Sequence, residues 1–156
     1  MTDIKISMEE IKKLREETEA PVVECRAALE NASGDMAKAK EWLKAKGLER
    51  VAKKGEREVR AGLVETYSHG EGRVGVLVEV CSETDFVSRT EEFKNFAHEL
   101  CLQVASMNPK NVEELLEQPW IRDDKLTIGD LVKEKIAKFG ENIIVKRIVR
   151  FELGRE

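Results

Sequence analysis

The sequence predicts an α+β protein, in which three N-terminal helices precede an antiparallel three-stranded sheet packed with helices. Two observations support this class. Apolar residues recur at helical spacing three times before Gly47. Beyond that residue, three segments at 63–67, 73–80 and 143–153 are patterned as strands, and amphipathic helices separate the second strand from the third. Two adjacent strands, several helices and a final strand are typical of an antiparallel α+β domain.

Composition limits the class of protein. The 156 residues suffice for one ordinary domain, or for one domain and a small helical module. The net charge of −4 disfavours a dedicated nucleic-acid-binding protein, which usually carries excess positive charge. Three cysteines without a Cys-x-x-Cys pair argue against a zinc knuckle and a secreted disulfide scaffold. No signal core or apolar run of about 18 residues is present, so we expect a soluble intracellular protein that binds no membrane.

Residues 1–48 are predicted to form a three-helix module. Its helix boundaries are indicated by a Ser7–Glu10 capping box, Pro21 in a first helical position, Asp35 as an N-cap, and Gly47 at the end of the third helix. A module of this length lies near the lower limit for independent folding, roughly 40 residues. It either binds another protein through a small apolar patch or packs as an accessory against the rest of the chain.

Residues 49–60 carry dense mixed charge and are predicted to be a solvated linker. The core domain, 61–156, follows. Its second strand, Val74 to Cys81, is apolar on both faces, which predicts a central strand covered on both sides. In the last strand, regular alternation puts Val145, Val149 and Phe151 on one apolar face, and Arg147 interrupts that face without explanation.

Three helices are predicted between the second and third strands of the core. The first begins at Ser88 or Thr90 and ends at Asn108–Pro109, the second covers one or two turns at 112–118, and the third is capped by Thr127 and Asp130 and ends at Gly140. The aromatic stripe of the first helix, Phe93 and Phe96, is interpreted as core rather than as a cofactor site.

The segment Cys81–Val87, between the second strand and the next helix, matches neither a strand nor a helix pattern. A large apolar side chain in such a loop, here Phe86, is either a plug for the core or a wedge for a partner. The following helix already supplies Phe93 and Phe96 to the core, so Phe86 is interpreted as surplus to it.

Each pattern that resembles a catalytic or cofactor-binding motif is excluded by the sequence around it. Gly70–Gly75 matches G-x-G-x-x-G, but a strand follows where a phosphate-binding helix would be needed. A thiol arrangement of Cys81, His69 and Asp85 can be drawn, although nothing in the sequence brings the three together. No group of residues has metal-ligand spacing. We therefore expect neither an enzyme, a cofactor nor a metal site.

Several motifs together resemble the bacterial translation elongation factor Ts family. They run in family order over nearly the whole chain: Cys25–Leu29, Gly34–Asp35, Trp42–Leu43, Lys46–Gly47, Ala52–Lys54, Arg73–Val78, Thr84–Val87, Asn108–Pro109, Glu117–Pro119, Gly140–Ile143 and Arg150–Gly154. The resemblance implies a ubiquitin-associated-like (UBA-like) N-terminal module. It also implies a cytoplasmic guanine-nucleotide exchange factor that binds elongation factor Tu, both GDP-bound and nucleotide-free, and promotes GDP release during translation elongation.

The resemblance also implies roles for individual residues. In the family, the Thr-Asp-Phe-Val loop enters the G domain of elongation factor Tu near the magnesium ion and switch II. Carried over, Asp85 and Phe86 form the wedge, while Thr84 and Val87 set its shape; we call Thr84–Val87 the wedge loop. His69 matches a hairpin histidine that in longer members touches the same G domain from a second subdomain. The positions that match the family's N-terminal docking surface are Arg15, Val22, Val23 and Arg26.

The chain departs from the family pattern in three places. Glu19–Glu24 replaces a more flexible segment with two methionines, a helical insertion is nearly absent at Lys110–Leu115, and there is one copy of the core. A single copy resembles the short form, in which two chains pair through their sheets as a homodimer. No cysteine lies in the last strand, so no disulfide is expected across that interface. The alternative hypothesis is a non-catalytic protein-binding adaptor that acts through the N-terminal module.

Overall fold

The computed structural model of the chain describes residues 5–156. Contacts divide the chain into two compact units, one ending at Arg50 and the other spanning Val51–Glu156. Each unit has its own cluster of buried apolar side chains. N-terminal helices precede an antiparallel three-stranded sheet packed with helices, so the predicted fold class is confirmed. Among the described residues, no helix is long and apolar enough to cross a membrane.

The N-terminal unit is built from α1 (Met8–Thr18), α2 (Val22–Asn31) and the first part of α3 (Met36–Lys54). The predicted capping box starts α1: Ser7 Oγ accepts from the Glu10 amide at 3.2 Å, and the Glu10 carboxylate accepts from the Ser7 amide at 2.8 Å. The predicted end of α3 at Gly47 is wrong, because the helix continues to Lys54. A single glycine costs a helix only about 1 kcal/mol, and Leu48, Glu49 and Arg50 after it are good helix formers.

The second unit follows the predicted order with two additions. Its elements are β1 (Ala61–His69), β2 (Val74–Ser82), α4 (Asp85–Ser88), α5 (Glu91–Met107), α6 (Val112–Glu117), β3 (Pro119–Trp120), β4 (Asp123–Thr127), α7 (Ile128–Phe139) and β5 (Ile143–Glu152). The short helix α4 and the β3–β4 hairpin were not predicted. The three-stranded sheet has the order β1-β2-β5, with antiparallel neighbours, so β2 is central as expected.

The two faces of β2 differ in burial. Val74, Val76, Val78 and Val80 face the core and are all buried. The opposite side of the sheet, which we call the outer face, is open: Leu77 at its centre is 44% exposed. The prediction that both faces are covered is therefore wrong for the single chain, because α5 and α7 contribute to one buried cluster, on the valine face.

A β-bulge in β5 explains the unaccounted Arg147. Val80 pairs with Val145, while the preceding Glu79 pairs with Arg147, so Lys146 is an extra residue in β5. The extra residue reverses the alternation of faces. Arg147 consequently lies on the outer face and forms an ion pair with Glu79. The prediction that Val145 shares a face with Val149 and Phe151 is wrong, because it assumed a regular strand.

Candidate functional site

The wedge loop folds as a single helical turn at the end of the central strand. Ser82, the last residue of β2, is buried, and its Oγ donates to the carbonyl oxygen of Thr84 at 2.9 Å. The amide of Ser88 donates to the Thr84 carbonyl at 3.4 Å, and the amide of Arg89 donates to the Asp85 carbonyl at 3.0 Å. The expectation of an irregular loop is corrected here. A four-residue turn is too short to produce helical periodicity in a sequence.

The side chains of this turn divide into anchors and projecting groups. Val87 packs against the core cluster and Ser88 is buried, so they hold the turn against the sheet. Phe86 is 84% exposed, the highest exposure among the large apolar residues described. The interpretation that Phe86 is surplus to the core is confirmed. Asp85 is also exposed, and its Oδ2 lies 3.1 Å from the Arg89 guanidinium. The turn therefore presents one aromatic ring and one carboxylate to solvent.

The turn between α7 and β5 forms hydrogen bonds with the wedge loop and with the residue before it. Thr84 donates twice to the Glu141 carboxylate, from its amide at 2.9 Å and from Oγ1 at 2.6 Å. Next to it, Glu83 Oε2 accepts from the Asn142 amide at 3.2 Å. Sequence reasoning assigned no role to Glu141 or Asn142. Their only signal was the Gly140–Ile143 motif, which carried the family resemblance without indicating a contact with Thr84.

His69 lies at the other end of the sheet from the wedge loop. It is the last residue of β1 and pairs with Val74, whereas the wedge loop follows Ser82 at the far end of the nine-residue β2. At the usual rise per residue, these ends are roughly 26 Å apart. The Tyr67 hydroxyl lies 2.9 Å from His69 Nδ1, and His69 is exposed.

The thiol arrangement considered from the sequence does not form. Cys81 pairs with Gly62, at the opposite end of the sheet from His69. Burial, aided by the negative charge of Glu79, raises the pKa of the Cys81 thiol, so a reactive thiolate is disfavoured. Burial also raises the pKa of Cys101 to about 12. Within residues 5–156, no cluster of three or more His, Cys, Asp or Glu side chains could hold a metal ion.

The four N-terminal docking residues implied by the resemblance are all exposed. Arg15 lies in the last turn of α1, and Val22, Val23 and Arg26 lie on α2. Val22 and Arg26 are four residues apart and share one side of α2. Val23 is 80% exposed. Two adjacent exposed valines on a short helix form a small apolar patch with a basic neighbour.

The chain is similar to known proteins over nearly its whole length. A family model described as Elongation factor TS matches residues 83–156, which include the wedge loop and Glu141. Elongation factor Ts from Coprothermobacter proteolyticus is 44% identical over 97% of this chain and 100% of the relative. Elongation factor Ts from Caldanaerobacter subterraneus subsp. tengcongensis is 41% identical over 96% of this chain and 97% of the relative. The first alignment spans 196 positions, more than the 156 residues of this chain, so that relative carries residues without a counterpart here.

Proposed function

This chain belongs to the elongation factor Ts family of translation elongation factors, and we propose that it promotes GDP release from elongation factor Tu as a guanine-nucleotide exchange factor. The observation that carries this proposal is the exposed Phe86 ring on a turn whose base is anchored in the core. A ring in that position can enter a partner without any part of the core having to unfold. The proposed site of action is the cytoplasm, where translation takes place.

The wedge loop acts through the geometry of the partner's magnesium site. Magnesium requires nearly ideal octahedral coordination, so displacement of its ligands or waters weakens nucleotide binding strongly. Phe86 supplies the volume that displaces the partner's segments near the magnesium and switch II. Asp85 adds a negative charge beside the ring. Val87 and Ser88 keep the turn on the sheet while the ring is pushed in.

The affinity for the partner comes from surfaces other than the wedge loop. A factor that weakens nucleotide binding must itself be weakened by nucleotide, because the coupling between two ligands is reciprocal. The affinity of this chain for the nucleotide-bound partner therefore has to come from contacts that bound nucleotide does not weaken. The residues proposed for this role are Arg15, Val22, Val23 and Arg26 on the N-terminal helices, and His69 at the hairpin.

The direct test measures release of fluorescent GDP from elongation factor Tu in the presence of excess unlabelled GDP. Catalytic amounts of this chain should accelerate the release, and the rate should saturate with the concentration of the factor. The exposed valines of α2 favour one alternative, a non-catalytic adaptor that acts through the N-terminal helices. An adaptor would bind the partner yet leave the rate of GDP release unchanged, so the same experiment separates the two functions.

We also propose that two copies of this chain pair through the outer face. The strand register places the exposed Leu77 beside Val149, with the exposed Phe151 in the next row. Val64 lies in the row of the Glu79–Arg147 ion pair, and Ile144 lies in the row beyond it. An exposed apolar patch such as that of Leu77, Val149 and Phe151 is typical of an interaction surface. Pairing with the strands antiparallel would bring the hairpin end of one chain beside the wedge end of the other. The wedge loop of one chain and His69 of the other chain would then reach the same G domain of elongation factor Tu.

Replacing Leu77 with glutamate should convert the proposed dimer into a monomer. The substitution puts a charge at the centre of the outer face, where burial without a partner is costly. Sedimentation equilibrium at micromolar concentration measures the outcome, with an expected loss of affinity between the chains of about 100-fold or more. Leu48→Glu is the matched control, because Leu48 is 48% exposed but lies on α3. A wild-type chain that sediments as a monomer would contradict the pairing.

A further inference from the structure

We propose that Glu141 is a positioning residue for nucleotide exchange, because its carboxylate holds Thr84 and so sets the direction in which Phe86 projects. This inference rests on the proposed exchange function and deepens it. Glu141 lies 57 residues beyond Thr84 in sequence, on a different turn of the same unit. It does not belong to the wedge loop.

The contact is bidentate. The Thr84 amide donates to Glu141 Oε1 at 2.9 Å, and Thr84 Oγ1 donates to Oε2 at 2.6 Å. A threonine at a helix N-cap ordinarily accepts a hydrogen bond from the first turn of its own helix. Thr84 is the N-cap of α4, but its side chain makes no such bond, and its hydroxyl donates to Glu141. The base of the turn is therefore oriented by a distant carboxylate.

Glu141 is itself held in place. Gly140 ends α7 in the left-handed region, at φ 72°, and its amide donates to the Ile136 carbonyl at 3.0 Å. On the other side, Asn142 is buried, and its side-chain amide donates to the Arg57 carbonyl at 2.8 Å. Because both neighbours are fixed, the Glu141 backbone has little freedom.

Two consecutive residues of one turn thus bind two consecutive residues of the other. Glu83 accepts from the Asn142 amide at 3.2 Å, and Glu141 accepts from Thr84. Glu83 Oε1 also lies 3.7 Å from the Arg57 guanidinium. Hydrogen bonds that run in both directions oppose rotation of the wedge loop better than one bond could.

The direction of Phe86 depends on this contact because its ring has almost no packing of its own. A helix of four residues is far too short to be stable by itself. Without Glu141, Val87 and Ser88 would still hold the end of the turn on the sheet, but Thr84 at its start would lose two hydrogen bonds. The direction of the ring would then be less narrowly fixed. Misplacement by about 1 Å can lower a rate by about 100-fold. The substitution leaves the proposed binding residues outside the wedge loop unchanged. Loss of Glu141 should therefore reduce the maximal rate more than the apparent affinity.

The test compares Glu141→Ala with Glu141→Gln in the full chain. For Glu141→Ala we expect about a tenfold lower maximal rate of GDP release, with the half-saturating concentration changed less than about threefold. Glutamine can accept from the Thr84 amide and donate to its hydroxyl, so Glu141→Gln should retain the rate within about threefold. Glu134→Ala, an exposed glutamate on α7, is the control.

A second measurement does not require the partner. Hydrogen exchange of the Thr84 amide, followed by NMR on the free chain, should be at least about tenfold faster in Glu141→Ala than in the wild type. Thermal unfolding of both variants should match the wild type, because partly exposed hydrogen bonds contribute little to global stability.

The outcomes distinguish failure of the proposed exchange function from failure of the positioning role of Glu141. If the wild-type chain does not accelerate GDP release, the proposed function fails and the positioning role fails with it. If the wild type is active and Glu141→Ala is equally active, only the positioning role is wrong. Equal impairment of the alanine and glutamine variants, with the Thr84 amide still protected in both, would also overturn it, since Glu141 would then contact the partner directly through its charge.

Discussion

Phe86→Ala is expected to remove most of the acceleration of GDP release, by a factor approaching 100. Burying a phenylalanine side chain contributes about 1.5–3 kcal/mol, and a difference of about 1.4 kcal/mol changes a rate tenfold. The ring is 84% exposed in the free chain, so almost all of that burial is available to the complex. The measurement is the saturating rate of fluorescent GDP release by stopped flow.

The same substitution should leave the fold intact. An exposed side chain away from special backbone geometry changes the free energy of unfolding by less than about 0.5 kcal/mol. Ile121→Ala is a suitable control, because Ile121 is an exposed apolar residue between β3 and β4 and belongs to none of the proposed contact surfaces. A folded Phe86→Ala protein with the full exchange rate would rule out the wedge role of Phe86.

Gly62→Ala should cause the largest loss of stability of any single methyl addition in the sheet, about 3 kcal/mol or more. Gly62 has φ +147°, a conformation that side chains rarely adopt. A Cβ there would lie 2.3 Å from the carbonyl oxygen of Val80 and 2.8 Å from Cys81 Cα. Both atoms belong to the backbone of the central strand, which is paired on both sides and cannot move away.

Urea unfolding at a fixed protein concentration measures this prediction. Gly75→Ala is the matched control: Gly75 lies on β2, its φ is not positive, and a Cβ there would meet no atom within 4 Å. Alanine at that position should be neutral or slightly stabilising, since glycine within a strand is unfavourable by about 0.5–1 kcal/mol. Equal unfolding midpoints for the two variants would mean that β1 relaxes around Gly62 at no cost.

Local signals were sufficient for most of the fold. The capping boxes at Ser7 and Thr127 form as predicted, because each depends on residues only three positions apart. The strand pair β1–β2 also follows from local patterns, an alternation of side chains and a glycine-containing turn. The sequence also indicated that the core does not need Phe86, because the apolar stripe of α5 already supplies Phe93 and Phe96 to it.

Errors arose where one extra residue or a long-range contact decides the geometry. Lys146 is inserted opposite the Glu79–Val80 step, and alternation within β5 alone cannot reveal an insertion relative to β2. The helix α3 passes Gly47 because the residues after it favour helix more than one glycine opposes it. In the β3–β4 hairpin, β3 has only two residues, and β4 begins with three charged residues and has no apolar alternation.

By itself the sequence determined the class of fold, most of the helix ends and the identity of the exposed ring, since these depend on spacing and composition within a few residues. Only the tertiary structure decided that the outer face is open, that His69 and the wedge loop lie at opposite ends of the sheet, and that Glu141 holds Thr84. These facts depend on which distant segments meet. That is set by strand register and by packing of the whole core, neither of which can be read from the pattern of a single segment.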